Sequence, residues 1–193
     1  MIYRYLILTF LFCLSVLYGK SFHIVGGDIT YKCLGGNKYQ ISMIIYRDCG
    51  GQGADFDSPA NIAVYNDTLF ANLEVLPTGI TEIPADIYDP CFSVPTGVCV
   101  QKGYYTTTIT LPANSKGYTI SYQRCCRNSS LRNIVVPEKV GTTITTNIPG
   151  SLQAGCNISP VFKQAPPLAI CLGSDFQFDH GATDADGDSL VYK

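Results

Sequence analysis

Charge is scarce in this sequence. Only 15% of its 193 residues are Asp, Glu, Lys or Arg, against 46% hydrophobic. That ratio excludes a disordered chain, which cannot bury enough apolar surface to offset its lost entropy. The net charge of −2 excludes the basic footprint that nucleic acid requires. Histidine is limited to His23 and His180, and no Cys-x-x-Cys spacing occurs, so the ligand rhythm of a zinc site is missing. No stretch sustains an apolar period of 3.6 residues, which argues against helices as the building units. After residue 21 no apolar run approaches the ~20 residues that span a bilayer.

What is there begins with a leader. The stretch "MIYRYLILTFLFCLSVLYGKS" has an early Arg4, an apolar run from Leu6 to Leu17, then the small residues Gly19 and Ser21. This is the pattern of a secretory signal peptide over 1–21. Phe12 precedes Cys13, so the small residue that a lipoprotein cleavage site wants before its cysteine is absent. Eight cysteines follow: Cys33, Cys49, Cys91, Cys99, Cys125, Cys126, Cys156 and Cys171. An even set behind a signal peptide reads as a disulfide framework formed in an oxidising compartment. The expected location is therefore secreted or cell-surface.

Thirteen Tyr, eighteen Gly and eleven Pro favour strands and turns. "ITYKC" and "KYQISMIIYR" flank "LGGN", which has hairpin-turn chemistry. In the second of these, Tyr39, Ile41, Met43 and Ile45 share a face. "NIAVYN", "LFANLEV", "YYTTTITL", "GYTISYQRC", "LRNIVV" and "TTITTNI" read as further short strands, with Tyr118, Ile120 and Tyr122 on one face. Short strands with frequent turn signals predict an all-β, Ig-like antiparallel sandwich of two sheets.

The adjacent pair Cys125 and Cys126 tests that picture. Neighbours on a strand point to opposite faces. Their Cα atoms lie ~3.8 Å apart, less than the roughly 4.4–6.8 Å of an ordinary disulfide. The expectation is two staples pointing opposite ways. Cys126 would meet Cys49 across the sheets, with Cys125 tying the loop that carries Cys91 and Cys99; alternatively Cys91 and Cys99 pair with each other. A redox switch needs an exposed thiol of low pKa; Arg124 and Arg127 could lower one, but all eight cysteines can be paired, and the staple reading is preferred. Those arginines and Arg132 read as a solvated strand edge or as a carboxylate or glycan contact.

"HIVGGD" at 23–28 and "GDSL" at 187–190 match hydrolase signatures, but no catalytic triad can be assembled from matching positions. "DADGD" carries more. Asp184, Asp186 and Asp188 alternate, with Asp179 nearby. Oxygen ligands at this spacing suit calcium, or they form an acidic turn around Asp186 and Gly187. Asn66, Asn128 and Asn157 open Asn-x-Ser/Thr triplets, which mark surface loops where glycosylation operates. Tyr104 could stack on a sugar or pack across strands.

Composition shifts near residues 155–165. We read 22–155 as the disulfide-braced sandwich and 156–193 as the start of a second β domain, since about thirty residues cannot bury a core alone. "HIVGGDITYKCLGGNKYQISMIIYRDC", "GYTISYQRCCRN", "NIPG", "SPVF" and "FDHGATDADGDSLVY", in that order, resemble the N-terminal region of large secreted Bacteroidota surface proteins. Such proteins carry PKD-like or cadherin-like repeats and a gliding-motility-associated C-terminal sorting domain. The resemblance implies type IX secretion and a non-enzymatic adhesive or structural role. It also implies a calcium-linked turn in "DADGDSLVY". The expected partner is an extracellular protein or a glycan. The competing expectation is a carbohydrate-binding accessory module of a secreted enzyme.

Overall fold

The computed structural model describes residues 24–50, 54–84, 97–128, 130–170, 173 and 175–192. The signal peptide expected over 1–21, His23, Cys91 and Cys171 lie outside the described residues.

Alternating apolar residues build the first sheet. β1 (Ile24–Cys33) and β2 (Lys38–Asp48) form the expected hairpin. Its turn holds Gly35, Gly36 and Asn37 at positive φ, and Leu34 N–H donates to the Lys38 carbonyl at 2.8 Å. Two later strands, β5 (Pro77–Glu82) and β6 (Val100–Thr110), complete an antiparallel sheet of order β1-β2-β6-β5. The second sheet contains β3 (Ala60–Asn66), β4 (Thr68–Val75), β7 (Tyr118–Arg124) and β8 (Thr142–Ile148), in the order β4-β3-β7-β8. The fold is an all-β sandwich of two antiparallel four-stranded sheets.

The core lies between them. Tyr39, Ile41, Met43 and Ile45 from β2 are buried, as are Ile62 and Val64 from β3 and Tyr118, Ile120 and Tyr122 from β7. These are the faces that the period-two pattern selects. Between β4 and β5 stands the single residue Leu76, where the chain passes from one sheet to the other. On the opposite flank β1 approaches β8: a Cβ on Gly27 would meet Ile144 Cδ1 at 2.5 Å.

Two strand assignments differ from the sequence reading. "LRNIVV" is not a strand; it runs through bends into a 3-10 turn at Pro137–Lys139, with Val136 at φ 50°. Its apolar residues Val135 and Val136 are exposed. β5 was not expected because Pro77 and Gly79 suppress the strand signal. It is an edge strand, where a missing N–H is tolerated.

The chain then makes the short helix α1 (Ser151–Ala154) and returns to β1. Lys32 bridges Ile158, and Ser159 N–H donates to the Tyr31 carbonyl at 3.0 Å. Residues 156–159, on the far side of the composition shift, are thus bonded to the first strand. Beyond them, among the described residues, β9 (Val161–Phe162) and β10 (Ala182–Thr183) are the strands that pair. No helix among the described residues is long and apolar enough to cross a membrane.

Candidate functional site

Six of the eight expected cysteines are paired: Cys33 with Cys156, Cys49 with Cys99, and Cys125 with Cys126. The expected link from Cys49 to Cys126 is not formed. Asp48 lies opposite Val100 in the β2–β6 register, which makes Cys49 and Cys99 the next rung of one sheet. Cys49 N–H accordingly donates to the Cys99 carbonyl at 2.9 Å, and the Cα atoms are 4.9 Å apart. The sequence holds the signal for this pairing, but only once β2 and β6 are known to be neighbours.

Cys125 and Cys126 bond to each other, with Cα atoms 3.1 Å apart across a cis peptide. The prediction of opposite-facing staples fails because β7 ends at Arg124. Beyond the strand, alternation no longer governs side-chain direction, and the 3.8 Å spacing assumed a trans peptide. Cys125 is exposed and Cys126 half-buried.

The same end of the sandwich holds a network of half-buried polar and charged groups. Arg47, at the last inward position of β2, pairs with Asp55 and lies 5.5 Å from the Phe56 ring centroid. Phe56 fits over Gly103, where a Cβ would meet the ring at 2.7 Å. Arg124 reaches Asp57 Oδ1 at 3.1 Å and the Asp55 carbonyl at 3.0 Å. Its side chain is 9% exposed, so it does not belong to a solvated edge. Tyr122 donates its hydroxyl to Asp57 Oδ2, and Tyr105 donates to the Asp57 carbonyl at 2.8 Å. Burial pushes the Tyr105 phenol up to about 12, and the Asp57 charge adds to that; Tyr122 is raised further by burial and its bond to Asp57. Asn128 donates to Asp48 Oδ2 at 3.0 Å. Arg127 donates its backbone N–H to Val140 and its Nε to Gly141.

Asp184, Asp186 and Asp188 converge, with carboxylate oxygens all within 4.8 Å of one another. Asp184 Oδ1 accepts the N–H groups of Asp186 and Asp188 at 2.9 and 3.1 Å. The loop is stitched to the sandwich: Asp188 accepts from Asn157 Nδ2 at 2.7 Å, Asp186 from Ile158 N–H at 2.5 Å, and Tyr31 donates to Asn157 Oδ1 at 2.5 Å. Burial, reinforced by Tyr39 and the three carboxylates, pushes Tyr31 up to about 12. Asp179 is not in this group; its Oδ1 accepts Gly181 N–H at 2.7 Å. The donor set is all hard oxygen, the chemistry that a calcium ion selects.

Of the three Asn-x-Ser/Thr triplets, Asn128 and Asn157 are buried. Asn66 donates its amide to the Gly117 carbonyl at 2.7 Å. On the outer face of the first sheet, Tyr46 and Tyr104 sit diagonally across β2 and β6. Lys102 Nζ is 5.7 Å from the Tyr46 ring centroid, and the Thr81 hydroxyl donates to Tyr104 Oη at 3.4 Å. Burial raises the Tyr46 phenol, as do Asp28 and Tyr104 beside it. At the opposite end of the sandwich, a cleft of about 250 Å³ lies between the β1–β2 turn, Tyr39, Ser151 and the Cys33–Cys156 bond.

Comparison with protein-family models, with curated proteins and with solved structures finds no match to this chain.

Proposed function

We propose that this chain is a non-catalytic extracellular module, the N-terminal part of a larger secreted or cell-surface adhesin-like protein exported by the type IX route. The observation that carries this reading is the pair of long-range disulfides, Cys33–Cys156 and Cys49–Cys99. Bonds of this kind persist outside the reducing cytoplasm. The polar groups at the sulfur-rich end support the same reading, because Arg47, Arg124, Tyr105 and Tyr122 are engaged in holding residues 54–57. The test is non-reducing peptide mapping of protein shaved from intact cells by protease. Recovery of both long-range disulfides in the shaved fraction supports the reading. Free thiols at Cys33, Cys156, Cys49 and Cys99, or recovery only after lysis, would sink it.

In this proposal Asp184, Asp186 and Asp188 hold a calcium ion that stiffens the segment after residue 175. Calorimetric titration with calcium is the check. Binding lost in Asp186→Asn with the sandwich still folded supports it, and no heat in the unmodified chain overturns it.

The diagonal Tyr46–Tyr104 pair favours a second reading, a carbohydrate-binding accessory module. Aromatic faces with polar neighbours suit sugar rings. Retention on immobilised polysaccharide that is lost in Tyr46→Ala and Tyr104→Ala would select it over the adhesin reading.

A further inference from the structure

We propose that the Cys125–Cys126 bond is a reversible thiol–disulfide exchange site for low-molecular-weight thiols, and that its state sets the position of the corner following β7.

The first argument is linkage. A disulfide stabilises a fold by removing loop entropy from the unfolded chain, and the fold resists reduction of that bond by the same amount. The Cys33–Cys156 and Cys49–Cys99 bonds close separations of 123 and 50 residues. Cys125–Cys126 closes a separation of 1. Folding therefore protects the two long-range bonds and contributes almost nothing of this kind to the third. A bond that braces no chain loop is not explained by the stability of the sandwich.

The second argument is access. Cys125 is an exposed residue beyond the end of β7, and exposure is what attack by an external thiolate requires. The chemistry balances. A thiolate RS⁻ attacks Cys125 Sγ, forming an RS–Sγ bond, and Cys126 leaves as thiolate. A second RS⁻ attacks the R-bearing sulfur, releasing Cys125 as thiolate and forming RSSR. The two RSH lose two electrons, and both cysteine sulfurs take up the two protons they gave.

The third argument is what the pair holds. Arg127 and Asn128 follow it directly, and each is tied to a different part of the fold. Arg127 bridges the buried Ile24 at the start of β1 and donates to Val140 and Gly141 before β8. Asn128 donates to Asp48, next to the Cys49–Cys99 bond. Opening the ring at 125–126 frees the backbone that aims both residues. The segment 130–141, which exposes Leu131, Val135, Val136 and Val140, is then held less firmly.

The test uses the full chain under native conditions. It is equilibrated in graded reduced and oxidised glutathione, quenched in acid, alkylated and peptide-mapped. Cys125 and Cys126 are expected to label at a reductant activity about tenfold or more below that needed for the two long-range bonds, and to re-form on oxidation. Hydrogen exchange should rise at Arg127 and across 130–141 in the partly reduced protein, with β2 and β6 unchanged. The variant Cys125→Ser/Cys126→Ser should fold and melt close to the parent. Joint reduction of all three bonds, unchanged exchange at 130–141, or a variant that melts early or fails to fold would each overturn the proposal.

Discussion

Asp57 shows how a single carboxylate can organise one end of a sandwich. It accepts from Tyr122 and Arg124 through its side chain and from Tyr105 through its carbonyl. Replacing it by alanine leaves a largely buried guanidinium and a buried phenol without their shared acceptor. The expected loss is about 3 kcal/mol, readable from urea unfolding, and a change below a few tenths would show that Asp57 is peripheral. The same phenols make the protein sensitive to alkali. Tyr31 and Tyr105 are raised to about 12 and Tyr122 further, whereas in the unfolded chain they ionise near 10. Above pH ~10 the unfolded state releases protons that the native state keeps, so stability falls with rising pH. The contribution is fully present below pH ~10 and is lost as pH rises through about 12. Ultraviolet titration should show these phenols ionising together with unfolding; a native protein with all its tyrosines ionised at pH ~10.5 would contradict this. Little of the Asp57 network was legible in the sequence, because its partners stand 48 to 67 residues away and nothing local marks them.

Strands were legible wherever one face is apolar and the other polar. β2 and β7 appear on the faces that their alternation selects, and Gly-Gly-Asn places the β1–β2 turn. Failures have physical causes. "LRNIVV" has strand composition but runs into the 3-10 turn at Pro137 with Val136 at positive φ, and among the described residues no strand pairs with it. β5 has turn composition but borrows its conformation from β6. Gly103 in β6 illustrates a constraint set by a loop rather than by a strand. Phe56 lies where its Cβ would be, so Gly103→Val should displace the ring and cost about 1–3 kcal/mol. Thermal unfolding that matches the parent would mean that Phe56 is free to move aside. That the cysteines pair was legible for the six that the structure describes, but their map was not, since the map depends on which strands become neighbours.

At the level of the whole molecule, two sheets and a covalent brace account for the architecture. Loop closure over 123 residues is worth about 5 kcal/mol in the chain-entropy model, and closure over 50 residues about 4 kcal/mol. Cys33→Ser/Cys156→Ser should therefore lower the melting temperature by about ten to twenty degrees. It should also loosen residues 156–159 from β1, which hydrogen exchange at Ser159 would register. An unchanged melting point would mean that the unfolded chain is already held compact by other means. The two-layer class was readable from alternation and turn spacing. The sheet to which each strand belongs was not, because the crossing at Leu76 and the return to Tyr31 are long-range events.

The position of the Cys33–Cys156 bond has a mechanical consequence. Everything from β2 to α1 lies inside the covalent ring that it closes. Tension applied between residues 24 and 192 runs through the sulfur–sulfur bond and bypasses the enclosed strands. Only β1 and the segment after Cys156 can be peeled away, so extension under load stops short while the rest of the sandwich stays intact.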